Sequence, residues 1–160
     1  MSSVVSGVAQ PVAQSVAIGR GGLAAPPVGY GAAALGNLYR ALGDDEWPGI
    51  VPAAWAGGIR YFDVAPHYGL GLAERRLGES LRQLPRDEYI VSTKVGRLLV
   101  PQDAAGRTDI DNLFDVPADH RRVQDYSRDG VLRSIEQSLE RLGLDPVSYT
   151  HLTLPTKRIV

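Results

Sequence analysis

Three short, mostly apolar runs, each followed by a stretch with helical character, set the pattern of this chain. PPVGYG at 26–31 leads toward a segment from Asp44 to Trp55. Ile59 to Val64 leads into LAERRLGESLRQL at 72–84. YIVSTKVG at 89–96 is followed, after a long interval, by SRDGVLRSIEQSLERLGL at 127–144. Strands that are apolar throughout are buried on both faces, as in a parallel sheet covered by helices. Parallel neighbours need a crossover connection, and the helical stretches supply one each time. The order therefore predicts an α/β fold. Two architectures satisfy it, a doubly wound open sheet and a (β/α)8 barrel, and both gather functional groups at the carboxyl ends of their strands.

Local signals place the helices. Asp44 and Asp45 stand where a cap is wanted for the first, and Gly57 and Gly58 where it ends. Pro48 suits a first turn but Pro52 lies deeper, so this helix is expected to be kinked or to start late. In 72–84, Leu77, Leu81 and Leu84 share a face, with Glu74, Arg75 and Arg82 turned away from it. In 127–144, Ser127 is the expected cap, Val131, Ile135, Leu139 and Leu142 the buried stripe, and Gly143 the stop. Residues 97–126 show no period and contain Pro101, Gly106, Pro117 and many aspartates. A connection that long in a compact domain reads as a functional loop or lid. Trp47 and Trp55 read as packing residues and His120 as solvated.

Composition narrows the function. With 17 basic and 18 acidic residues, the chain lacks the charge footprint of a nucleic-acid or anionic-membrane binder. It has no cysteine, so disulfides and thiolate metal sites are excluded and a cytoplasmic location fits; no metal-binding residues are assigned. The first charged residue is Arg20, and the preceding stretch is too interrupted for a signal peptide or a membrane span. Residues 1–15 read as a disordered or weakly ordered leader.

Chemistry concentrates where the strands end. YFDVAPHYG at 61–69 finishes a strand with Asp63 and then offers His67 and Tyr68, while the next strand finishes with Lys94. Asp63 and Lys94 occupy equivalent ends of consecutive parallel strands, so their side chains meet at one rim. A tyrosine ionises near pH ~10, and a neighbouring ammonium favours the phenolate. A carboxylate on the lysine holds that ammonium in place. Such a trio can donate a proton to a carbonyl oxygen, or take one from an alcohol, as hydride moves at the carbon. Spacing alone leaves open a plain Asp–Lys ion pair beside an aromatic loop. Gly29 and Gly31 permit close backbone approach at the mouth of the first strand, or simply a tight turn.

Together GYGAAALGNLYRAL, GIRYFDVAPHYGLGLAERRLGESL and YIVSTKVGRLL resemble the aldo/keto reductase family, especially its D-threo-aldose 1-dehydrogenase branch, which oxidises sugars such as L-fucose. The matches run in order over roughly residues 16 to 145. The resemblance implies a (β/α)8 barrel that binds NADP or NAD without a Rossmann domain. It implies that Asp63, Tyr68 and Lys94 are three members of a catalytic tetrad, with Tyr68 the acid/base and Asp63 near the nicotinamide ribose. Gly31, Ala32 and Ala33 would lie beside the nicotinamide, and IGRGGL at 18–23 would form a short hairpin closing the barrel floor. His67 stands outside the tetrad, as a substrate-facing or solvent imidazole.

The family's fourth member is a histidine closing the next strand. The chain follows the pattern through Leu142, Gly143, Leu144, Asp145 and Val147 and then departs from it, so His151 is not assigned that role. The expected organisation is a leader at 1–15, the N-terminal part of one barrel at 16–147, truncated after about three β/α units, and a non-native tail at 148–160. The function implied is NAD(P)-dependent oxidoreduction of an aldose or small carbonyl compound. The alternatives are a cofactor-binding regulatory protein with the reductase fold, and an inactive fragment that associates with itself through exposed strand edges.

Overall fold

The structure is a computed structural model and describes residues 15–18 and 23–145. Nearly all of the expected leader, the tail at 148–160 and His151 lie outside the described residues. Strands β1 (Val16–Ile18) and β2 (Leu23–Ala25) pair antiparallel, with Val16 opposite Ala25, as the two arms of the expected hairpin.

The centre is a parallel sheet of β3 (Tyr30–Gly31), β4 (Tyr61–Asp63) and β5 (Ile90–Ser92), in that spatial order. The register sets Gly31 beside Asp63 and Asp63 beside Ser92, so these three residues form one row at the carboxyl edge. Helix α1 (Ile50–Ala56) follows β3, α2 (Leu72–Leu81) follows β4, and α3 (Arg128–Leu142) comes after β5 and a hairpin. Helix α2 packs against both α1 and α3. A doubly wound sheet is defined by a reversal of strand order. The described strands show none, and the arrangement is an open sector of a barrel-type sheet rather than a closed cylinder.

Phe62 and Val64 of the β4 segment, Leu35 and Val51 before α2, Ala73, Leu77 and Leu81 of α2, and Leu142 of α3 form the main core, all essentially without solvent exposure. A smaller cluster of Leu70, Leu99, Phe114 and Val116 lies under the hairpin. Trp47 and Trp55 pack against the main core, as expected. No helix among the described residues is long and apolar enough to cross a membrane.

Three local expectations are corrected. Helix α1 starts late, as expected, at Ile50 after a short 3-10 turn at Trp47–Gly49, but neither Asp44 nor Asp45 caps it. Pro52 thus falls in the first turn, where no intrahelical bond to its nitrogen is required. Glu74 does not point to solvent but is fully buried. On α3, Ser127 is the cap, its Oγ accepting from the Gly130 N–H at 3.1 Å, and Gly143 is the left-handed stop. Yet the fully buried face carries Ser134 and Ser138, while Val131 and Ile135 are only half-buried. Small residues prevail because α3 comes in close to α2: a Cβ on Gly78 would stand 2.2 Å from the Leu142 carbonyl oxygen.

Residues 97–126, expected as a loop without a period, begin and end in regular strands. Strands β6 (Arg97–Pro101) and β7 (His120–Gln124) form an antiparallel hairpin. The period was hidden because adjacent Leu98 and Leu99 are both buried. Their partner strand is rich in charge, and its Arg122 enters the interior by pairing with Asp109.

Candidate active site

The row at the sheet edge assembles the first part of the site. Asp63 accepts a hydrogen bond from Ser92 Oγ on Oδ1 at 2.6 Å and one from Lys94 Nζ on Oδ2 at 2.7 Å. Since the Ser92 proton goes to Asp63, Tyr61 donates to Ser92 Oγ at 3.0 Å. Lys94 also donates to the Val64 carbonyl at 3.2 Å and to Tyr68 Oη at 3.4 Å. An ammonium has three donors and no acceptor. Tyr68 Oη is therefore the acceptor in that contact, and its own O–H remains to donate into the neighbouring cleft. Burial opposes the charge on Lys94, but the hydrogen bond and charge of Asp63, with help from Tyr68, outweigh it and hold the lysine above its ordinary value. At neutral pH the group is an ammonium.

Tyr68 sits on a loop fixed by main-chain contact. A Cβ on Gly36 would meet the Tyr68 carbonyl carbon at 2.7 Å, and one on Gly69 would meet the Gly36 oxygen at 2.2 Å. Gly69 also has φ +59°, a conformation that side chains resist. From the other side the hairpin region braces this loop. Phe114 lies 6.0 Å from the Tyr68 ring and edge-on to His67 at 5.4 Å. Arg122 donates to the His67 carbonyl at 3.2 Å and pairs with the buried Asp109, whose Oδ1 it meets at 2.8 Å.

Beside Tyr68 and Lys94 opens a cleft of about 290 Å³, walled by His67, Arg97 and Tyr126. The Tyr126 ring crosses directly over Gly96, where a Cβ would stand 2.1 Å from Cε1. Burial pushes the His67 imidazole down, and the positive charges of Arg122 and Arg97 add to that effect. His67 is thus a neutral group on the wall of the cleft.

The structure brings Asp63, Tyr68 and Lys94 together. Gly31 shares their edge, and a Cβ there would meet nothing within 4 Å, so an open ledge adjoins Asp63. Ala33 is half-buried beyond it, but Ala32 is fully buried and its methyl belongs to the core. Sequence reasoning missed Ser92, Arg97, Tyr126, Phe114 and Arg122. Ser92 was available, since a hydroxyl two residues before a strand-end lysine shares its face. The others depend on the fold of the hairpin.

Comparison with known proteins identifies the family. The model of the aldo/keto reductase family matches residues 27–156. The chain belongs to the aldo/keto reductase family. It is 54% identical over 138 residues to a D-threo-aldose 1-dehydrogenase from Pseudomonas, a match covering 85% of this chain and 42% of that protein. It is 41% identical to a pyridoxal 4-dehydrogenase from Microbacterium luteolum, covering 84% of this chain and 42% of the relative. Among solved structures, the glycerol dehydrogenase AKR11B4 from Gluconobacter oxydans shares the fold with a TM-score of 0.60 at 25% identity, over 84% of this chain and 37% of that one. This aldo/keto reductase chain thus spans about two-fifths of the length of these relatives, and its three parallel strands are one sector of their TIM-barrel-type fold.

Proposed function

We propose that this chain carries the acid–base centre of an NAD(P)-dependent oxidoreductase that interconverts an aldose, or a small carbonyl compound, and its oxidised or reduced partner. The observation that carries the reading is the Asp63–Lys94–Tyr68 chain, with Lys94 Nζ 2.7 Å from Asp63 and 3.4 Å from Tyr68 Oη. In the reductive direction the Tyr68 phenol gives its proton to the carbonyl oxygen and becomes the phenolate, and in the oxidative direction the phenolate takes the proton of the substrate hydroxyl. Lys94 stabilises the negative charge that develops on the phenol oxygen, and Asp63 and the Val64 carbonyl hold Lys94 in place. A positioned proton donor of this kind is worth roughly 10²–10⁴-fold in rate.

Family membership supports a nicotinamide cofactor, which when bound supplies or accepts the hydride. The ledge at Gly31 fits a flat ring, because no side chain occupies it and Asp63 lies next in register. Gly31 and Ala33 would line the ring and Asp63 would face the ribose, with Ala32 contributing main chain only. The substrate would enter the cleft between Tyr68, Arg97 and Tyr126, whose hydrogen-bonding groups suit the hydroxyls of a sugar. The 54% identity to a D-threo-aldose 1-dehydrogenase favours an aldose over other carbonyl compounds.

The test is a chimera in which this segment replaces the matching 138 residues of that relative. It is offered a panel of aldoses and aldehydes with NAD or NADP, and nicotinamide absorbance is followed. Aldose-dependent reduction of either cofactor is expected. A folded chimera that binds cofactor but turns over no member of the panel would overturn the reading in favour of a binding role.

A further inference from the structure

Glu74 has no solvent-exposed surface, yet both its oxygens are engaged. Oε1 accepts from Thr93 Oγ1 at 2.7 Å, and Oε2 accepts from Arg141 Nε at 2.6 Å. Thr93 and Arg141 are themselves nearly buried, and the three residues tie the end of β5 to α2 and α3. A carboxylate in such a place is costly, and well-packed apolar side chains of similar volume often serve stability as well or better. Core stability alone does not account for it.

The position of Thr93 supplies an account. It stands between Ser92 and Lys94, the two residues that bind Asp63. In extended backbone, alternate side chains point to opposite faces. Ser92 and Lys94 turn to Asp63 on the open face, and Thr93 turns to Glu74 on the buried one. Three consecutive residues are gripped from both sides by two carboxylates. The contact this grip protects is a sensitive one, since Lys94 meets Tyr68 Oη at 3.4 Å, near the outer limit of a hydrogen bond. A small shift of the backbone at 93 would break it.

We propose that Glu74, held by Arg141, is a positioning residue for the acid–base centre, acting through the Thr93 hydroxyl to fix where Lys94 meets Asp63 and Tyr68. The inference rests on the reading of Tyr68 and Lys94 as that centre.

The chain contains only two lysines, Lys94 and Lys157, so 13C-lysine labelling gives two side-chain signals that Lys157→Arg assigns. The charged groups facing Lys94 are Asp63 and the titratable phenol of Tyr68, with Arg97 on the same cleft. In the unmodified chain Lys94 should titrate above the ordinary lysine value. In Thr93→Val, which removes the hydroxyl at nearly constant volume, its titration should shift down toward the ordinary lysine value, and Thr93→Ser should restore it. Should Thr93→Val not fold, Thr93→Ala carries the same test without crowding. A merely structural role for Glu74 would lower the unfolding midpoint of a folded variant and leave the Lys94 titration where it was, and that result would overturn the inference alone. If Lys94 in the unmodified chain titrates at or below the ordinary lysine value, the Asp63 pairing is absent, and the acid–base reading falls with the inference.

Discussion

Two carboxylates flank the Ser92–Thr93–Lys94 triplet, and they differ in almost everything except their chemistry. Asp63 leaves 40% of its side chain to solvent at the carboxyl edge of the sheet, whereas Glu74 leaves none. Each accepts one hydroxyl and one cationic donor. The difference separates two uses of an ion pair. At the open face the groups can meet a substrate, and solvent keeps their contribution to stability small. At the closed face the carboxylate cannot meet a substrate, and loss of one member leaves the other charged and stranded.

Unfolding experiments test this contrast. The largest effect is expected for Glu74→Gln, which removes one charge of the buried pair and should cost about 3–5 kcal/mol, read from the urea midpoint. A loss as small as that of an exposed pair would erase the distinction. Next comes Gly69→Ala on the loop that carries Tyr68. Its φ of +59° and the 2.2 Å approach to the Gly36 oxygen demand a backbone shift, at a cost of roughly 1–3 kcal/mol. The Tyr68 ring signals should move with it. A variant as stable as the unmodified chain would show that the two loops are not in main-chain contact.

Asp63→Asn should change stability by less than about 1 kcal/mol, because both partners of the Lys94 pair are substantially exposed. The smallest effect is a pH dependence. Lys94 is held above its ordinary value in the folded chain. Its contribution is therefore fully present below the unfolded lysine value of ~10.4 and is lost as pH rises through the folded value. Alkaline unfolding curves of the unmodified chain should show this decline, and those of Asp63→Asn should not. Equal decline in both would place the Lys94 partner elsewhere.

The legible parts of the molecule are those governed by local rules. Apolar runs with a polar residue at their ends located β4 and β5, and Ser127 and Gly143 marked α3 because capping is chemistry between neighbours in sequence. The meeting of Asp63 and Lys94 was legible because strand ends in α/β folds converge on one rim, while roles for them and for Tyr68 are only implied by the family resemblance. The hairpin at 97–126 was not legible. Its stability rests on Arg122 reaching back to Asp109 and on Phe114 packing against His67 and Tyr68, contacts that no local period encodes. Glu74 was misread for the same reason. On α2 alone it lies off the leucine face, and only the arrival of Arg141 from α3 and Thr93 from β5 allows it to be buried.

The central claim is that Asp63, Lys94 and Tyr68 act as one proton-transfer unit, and Tyr68→Phe in the chimera with the Pseudomonas relative tests it most directly. The ring and its packing on Phe114 are kept while the proton is removed. The account predicts a fall in kcat of roughly 10²–10⁴-fold with cofactor binding unchanged. A folded Tyr68→Phe chimera with the kcat of its parent would contradict it.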